Sequence, residues 1–566
     1  MAPGLLSVTM HPHPSLPPPS FHDWYNNEHG PTRLRLPFIT NGIRYRATDI
    51  PDSTPEAEKQ KNLPEWLAIY DVTDMSEMQG EAYLRLRRED VKSEREKETM
   101  RQIAIDRRLY DLVEEKQCEG YVPLEHDLSA PSENVDERRV LVAITQTVRK
   151  GFEDEFSRWY TQEHIPLLAK VPGWLRTRRF VTSSIDPKPE ADTEYLCLHE
   201  YAPQNGLNGS PEMRAATNTP WRTRIFETAI SARSRRVYAH YYTFGAAPRD
   251  LSSLTAPGTQ PFTSPDSLTR AVPSNTRPAI QSYITTPDGV RLPYRLEGNP
   301  APNAPLILLA NSILTHYAIH DAFVNRLLSR PETSHYRVVR FLARGRCKNT
   351  GAEDKTVTLD VLAGDVLHIL DTLRVEKAEC LIGVSLGGAT VLNASLKKPQ
   401  RMRGFIACDT NAVAPAGNPA AWTERVGVAE KEGAVDENGE KIVGAELARV
   451  TVRRWFTEES YDGGEKEGVA RGVEEMVKSN SLEGFKRGVK ALFEYDVREE
   501  MKRAKGLRGM FVAGEKDGVL PKTMKDMQAM LEGSEFAVVE GAGHLPMTEQ
   551  PERFYEVVKG FLLKKL

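Results

Sequence analysis

Ser385 lies in Gly383-Val-Ser-Leu-Gly387-Gly388, between an apolar run ending at Ile382 and a helical stretch from Ala389 to Leu396. Glycines on both sides permit a turn too tight for larger side chains, which presents the hydroxyl at a strand–turn–helix junction on strained backbone. A serine hydroxyl needs a base, and the base needs an acid to orient it. Both follow in order. Asp517 comes after the apolar run Gly509–Ala513, and His544 comes after Phe536–Val539, in the loop Glu540-Gly-Ala-Gly-His-Leu-Pro546. The chemistry this predicts is acyl transfer from substrate to Ser385 and then to water, with His544 moving the proton and Asp517 holding the imidazole. Asp409 and Glu515 are the competing acids, and His316 and His320 lie on the oxyanion side.

An oxyanion needs two backbone donors. The Leu386 N–H opens the helix after the serine, and Ile313, in the loop after Leu306–Ala310, supplies the second. About a hundred residues of helical patterning separate Cys408 from Gly509, a cap over the site at about 412–505. Its Trp422, Arg425 and Trp455 are candidates for the substrate pocket, against the alternative that they form the cap's own core.

The elements that position these groups are strands alternating with helices after residue 279: Leu306–Ala310, Tyr336–Phe341, Glu379–Gly383, Gly404–Cys408, Gly509–Ala513 and Phe536–Val539. This order predicts a mostly parallel sheet, entered through a hairpin at Ile280–Thr285 and Val290–Leu296. Residues 246–278, rich in Pro, Ser and Thr, read as a linker without a core. Before them the chain repeats. Phe21, Trp24, Tyr25, Glu28, His29, Pro31, Pro37 and Arg44 recur 135 positions later as Phe156, Trp159, Tyr160, Glu163, His164, Pro166, Pro172 and Arg179. Further on, Trp66–Val72 matches Tyr195–Tyr201, and Arg107–Tyr110 matches Arg235–Tyr238. Residues 1–135 and 136–245 are thus two copies of one domain, each in the order β-α-β-β-α-β.

Composition narrows the function. At 566 residues the chain is long enough for several cores, and a net charge of −4 with mixed signs gives no footprint for nucleic acid. No window has the ~18 consecutive apolar residues of a membrane span, and the start is not a secretory signal. Five cysteines, Cys118, Cys197, Cys347, Cys380 and Cys408, lack the paired spacing of a metal or redox site, so no metal or cofactor is expected and a reduced interior is. Lys564-Lys565-Leu566 has Lys where the peroxisomal tripeptide has a small residue. The cytoplasm is therefore the expected location.

The stretches NSILTHYAIHDAF, CLIGVSLGG, CDTNAVAPAGNPAAWTERV, RRWFTEES, FVAGEKDGVLP and VVEGAGHLPMTEQPERF together resemble the 3-oxoadipate enol-lactonases of the α/β-hydrolase superfamily, over residues 279–566. The resemblance implies an α/β-hydrolase fold with a helical cap and hydrolysis of a small acidic lactone or ester. It matches Ser385, Asp517 and His544 to the triad, Ile313 and Leu386 to the oxyanion hole, and Trp422 to the acyl pocket. Two places depart from the family: Leu342-Ala-Arg344-Gly-Arg-Cys347 replaces an Asp and a Gly-His-Gly run, and Leu314 replaces a Gly. The F-x-x-W-Y-x-x-E-H-x-P motif of each amino-terminal copy resembles ferredoxin-like dimeric α/β-barrel domains of the EthD type. That implies two sheets pairing face to face, here within one chain. His29 and His164 are then either acid/base groups or members of a motif that only packs and caps its helix.

The primary reading is a serine hydrolase of the enol-lactonase type in aromatic or polyketide metabolism, acting on a small molecule, with self-association of the chain open. One rival is a bifunctional enzyme whose barrel cyclises, decarboxylates or oxidises what the hydrolase opens. The other makes the amino-terminal pair a dimerisation or ligand-binding module.

Overall fold

A computed structural model describes residues 2–49, 63–128, 132–186, 193–344, 356–461, 463–464 and 466–564. Cys347, with Lys565 and Leu566 of the terminal tripeptide, lies outside them. The chain forms two compact units, 1–248 and 249–566. Among the described residues no helix is long and apolar enough to cross a membrane.

The first unit is a closed eight-stranded barrel. Its strands are β1 (Gly4–Pro12), β2 (Ile39–Ala47), β3 (Trp66–Val72) and β4 (Ile103–Gln117) from the first copy, and β5 (Val140–Val148), β6 (Trp174–Thr182), β7 (Thr193–Tyr201) and β8 (Ile230–Thr243) from the second. They run β1-β3-β2-β8-β5-β7-β6-β4 around the barrel, and every pairing is antiparallel. Closure depends on the two long strands. β4 pairs with β1 over residues 103–111 and then with β6 over 110–117; β8 pairs with β5 and then, from Tyr238, with β2. Leu5, Ile43, Leu67, Leu141, Phe180 and Leu196 belong to a core drawn from both copies, while the helices of each copy cover a further core, the first of which also takes in Phe244 from the second copy. A strand buried on both faces loses polar–apolar alternation, which accounts for the continuous burial of the first five residues of β1.

The repeated motif does structural work in both copies. Each W-Y-x-x-E-H runs from an α-helix into a five-residue π turn, Tyr25–His29 and Tyr160–His164. Beneath it lies a fully buried arginine. The Arg44 guanidinium sits 4.5 Å from the Tyr25 ring and 4.8 Å from Trp66, and the Arg179 guanidinium 4.8 Å from Tyr160. A desolvated cation over an aromatic face contributes about 2 kcal/mol, and Asn26 and Glu114 accept hydrogen bonds from the two guanidinium groups.

The second unit is a ten-stranded sheet of β9 (Phe262–Thr263), β10 (Arg270–Val272), β11 (Ala279–Thr285), β12 (Arg291–Gly298), β13 (Leu306–Ala310), β14 (Arg337–Phe341), β15 (Cys380–Val384), β16 (Phe405–Cys408), β17 (Gly509–Gly514) and β18 (Glu535–Val539). The order is β18-β17-β16-β15-β13-β14-β12-β11-β10-β9, parallel from β18 to β14 and antiparallel beyond. Between β16 and β17 the insert is helical: Asn418–Glu432, Ala445–Trp455, Glu467–Lys478, Leu482–Gly488 and Arg498–Arg503.

One expectation is corrected. The expected linker, 246–278, is not coreless, because from residue 249 it belongs to the second unit, where β9 and β10 extend the sheet edge and bury Phe262 and Ala271, while Leu251 and Leu254 are buried just before them. An edge strand borrows its hydrogen bonds from the neighbouring strand, so a few isolated apolar residues suffice where composition alone reads as linker.

Candidate active site

β15 ends at Val384, and Ser385 adopts φ 58°, ψ −121° before the helix Leu386–Lys397 begins. A non-glycine residue in that region stores about 1–3 kcal/mol of strain, which the surroundings must hold in place. They leave no slack. A Cβ on Gly383 would lie 2.1 Å from the Gly387 carbonyl oxygen, and one on Gly387 would lie 2.4 Å from that of Ala310. The Ser385 N–H donates to the Cys408 carbonyl of β16 at 2.9 Å.

Ser385 opens onto a cavity of about 1030 Å³ that also gathers Ile313, Leu386, Trp422, Arg425, Trp455, Asp517 and His544. The candidates for the triad, the oxyanion hole and the pocket are therefore brought to one place, whereas the competing acid Glu515 is not. His544 Nδ1 donates to Asp517 Oδ2 at 2.7 Å, which leaves Nε2 as the free ring nitrogen. The Ile313 and Leu386 N–H groups donate to no other acceptor among the described residues. His316 caps the following turn, its Nδ1 accepting the Ala318 N–H at 3.2 Å, and His320 is fully buried; neither lines the cavity.

The predicted departure at Leu314 has a visible consequence. Leu314 takes φ 61°, the left-handed region that favours glycine, and is fully buried. Asn480 Nδ2, from just beyond the cap helix Glu467–Lys478, donates to the Leu314 carbonyl at 2.8 Å. The cap thus pins the loop that carries Ile313. Arg344, in the other departure, clamps Asp288 of the entry hairpin and Asp365 of the helix Leu359–Thr372.

Two groups have parts that the sequence did not disclose. Asp409, after β16, is fully buried with φ 44°, and its Oδ1 accepts the Gly514 N–H at 2.8 Å. Burial, and then the neighbouring Asp517 carboxylate, hold its carboxyl well above the usual range, which favours its protonated form. Glu549 is buried at 1 % exposure and accepts from the Thr457 N–H, the Thr457 and Ser460 hydroxyls and the Gly543 N–H. It ties the His544 loop to the cap. Trp455 reinforces that tie: its carbonyl accepts the His544 N–H at 2.7 Å, and its ring stacks on the imidazole at 5.8 Å.

The cavity is cationic on the cap side. The Arg425 guanidinium stacks over Trp422 at 4.3 Å. Arg454 also lines the cavity, within electrostatic reach of the Asp517 carboxylate, and neither arginine makes an ion pair within 4 Å among the described residues. Burial first, and then mutual repulsion, lowers the pKa of Arg425.

His29 and His164 lie in the barrel unit. His29 Nδ1 pairs with Glu96 at 2.8 Å, whereas His164 Nδ1 is buried without a partner.

Residues 307–557 match the family described as "Alpha/beta hydrolase family". Over 280 residues the chain is 31% identical to 3-oxoadipate enol-lactonase 1 of Acinetobacter baylyi, a stretch that is 49% of this chain and 96% of that protein. Among solved structures, the enol-lactonase from Burkholderia xenovorans LB400 is 26% identical, with 50% of this chain and 100% of that one covered and a TM-score of 0.44. A hydrolase from Pseudomonas aeruginosa PA01 is 29% identical, covering 50% and 98%, with a TM-score of 0.43.

Proposed function

Because the carboxyl-terminal half of this chain belongs to the α/β-hydrolase family, we propose that it is a serine hydrolase of the enol-lactonase type, opening a small acidic lactone or ester. The observation that carries this reading is the 2.7 Å His544–Asp517 bond in the cavity onto which Ser385 opens from strained backbone. Ser385 Oγ attacks the acyl carbon as His544 Nε2 takes its proton. Asp517 fixes the tautomer that makes Nε2 the acceptor and stabilises the imidazolium that forms. The Ile313 and Leu386 N–H groups receive the oxyanion. His544 then returns the proton to the leaving oxygen, and in a second half-reaction it activates water against the acyl-serine.

Arg425 and Arg454 supply the preference for an acid. Two partly desolvated guanidinium groups that make no ion pair among the described residues are stabilised by a substrate that brings a carboxylate, and Trp422 offers an apolar wall beside it. In the same reading the amino-terminal unit is a tandem of ferredoxin-like copies of the EthD type, each in the order β-α-β-β-α-β.

The test is turnover of a panel of carboxylated and neutral lactones and short esters by wild type and Ser385→Ala, with labelling by a fluorophosphonate. Loss of about 10⁴-fold or more in kcat is expected for the variant, with label on wild type alone and carboxylated substrates preferred. Activity of the variant within tenfold of wild type would sink the serine mechanism.

A further inference from the structure

The two copies in the barrel unit are built alike and have diverged at one position in a way that inverts its charge. Ser93 and Thr219 occupy matching helix N-caps: each hydroxyl accepts the backbone N–H three residues on, and each donates to the motif glutamate, Glu28 or Glu163. The residue three beyond the cap is Glu96 in the first copy and Arg222 in the second. Glu96 closes its site by taking His29 Nδ1 at 2.8 Å. The rest of that space is filled, since Phe244 stacks on Tyr25 at 5.5 Å and on Tyr70 at 6.0 Å, and the two tyrosine hydroxyls bond to each other.

In the second copy the space between the matching residues, Tyr160 and His199, is open. It is a recess of about 540 Å³ when the open space at its mouth is included. Trp159 and Phe226 form aromatic walls. Arg222, Arg233 and Arg235 line it, and none has a carboxylate partner among the described residues. The Arg222 and Arg233 guanidinium groups stack on Phe226 at 4.1 Å and 5.0 Å. His164 Nδ1 and His199 Nε2 are buried without partners, their side chains only 7 % and 2 % exposed. An unmet buried polar atom costs free energy that a ligand recovers by bonding to it.

We propose that this recess is a second ligand site, which takes a small hydroxylated aromatic carboxylate. The ring packs between the aromatic walls, and the carboxylate lies against Arg222 and Arg233, whose charge is otherwise uncompensated in the described structure. The hydroxyl meets the two imidazoles, each of which offers one nitrogen. Burial first, then His199 for His164 and Arg235 for His199, holds both rings at about 3, so both are neutral; the hydroxyl donates its one proton to one of these nitrogens and accepts from the other ring in its N–H tautomer. The site is independent of the hydrolase reading, since its residues all lie within the barrel unit.

Calorimetric titration of the full-length protein with 4-hydroxybenzoate should give saturable binding. Arg222→Glu, which installs the first copy's residue, should weaken it by about tenfold or more, as should replacing the ligand with neutral 4-hydroxybenzamide. A crystal soaked with 3-bromo-4-hydroxybenzoate locates the site without any substitution, and the bromine should appear beside Phe226. No saturable binding at millimolar ligand, or bromine found only in the hydrolase cavity, would overturn the proposal.

Discussion

Asp409 and Asp517 are carboxyl groups at the ends of neighbouring strands, in unlike surroundings. Only Asp517 touches His544; Asp409 is buried, accepts the Gly514 N–H and is held well above the usual carboxylate range by burial. An unfolded aspartate ionises near pH 3.9, whereas folded Asp409 does so only at higher pH. From that point upward the unfolded chain gains by releasing a proton that the folded chain retains, so this group lowers stability as pH rises. Asp409→Asn keeps the shape and the Gly514 bond and removes the penalty. Its melting temperature should match wild type near pH 3.5 and exceed it at pH 7, with turnover within about tenfold of wild type, because no triad tautomer is lost. A melting-temperature gap that does not change with pH, or a loss of turnover equal to that of Asp517→Asn, would contradict the assignment.

At the scale of elements, the loop that carries His544 is held by the end of a cap helix, through Trp455, Thr457, Ser460 and Glu549. Glu549→Gln replaces one acceptor oxygen with an amide donor that faces donors. Displacement of a reacting group by about 1 Å costs about a hundredfold in rate, so kcat should fall by roughly that factor with KM much less affected. Unchanged kcat would show that Trp455 alone positions the loop. The convergence of Ser385, Asp517 and His544 on one cavity was legible in the sequence because each follows its own apolar strand, and that link is local. Glu549 was not, because its partner Thr457 is 92 positions away and no spacing marks it. The edge strands β9 and β10 were hidden for a related reason: their order comes from β11, not from their own Pro- and Ser-rich composition. A barrel in the amino-terminal half was legible in outline from the repeat. The difference between the interiors of the two copies was not, since Glu96 and Arg222 correspond only once both helix caps are superposed.

For the whole molecule, the barrel depends on strands that serve both copies, since β4 and β8 each leave their own sheet to close the other's. Separately expressed 1–135 and 136–245 should each expose an apolar sheet face and the edge of β6 or β2 that its partner would have covered, and so should self-associate or aggregate. Residues 1–248 should fold as a soluble unit, and light scattering with circular dichroism would distinguish these outcomes. A well-behaved monomer from either half would show that closure contributes little. Continuity of the chain has a further effect. In an assembly of two identical subunits every substitution is made twice, so a glutamate that seals one pocket seals its twin. Joining the halves end to end removes that symmetry, and one half can be a filled support while the other changes independently. Opposite charges at Glu96 and Arg222, on otherwise matching frames, are a state that two identical subunits cannot reach.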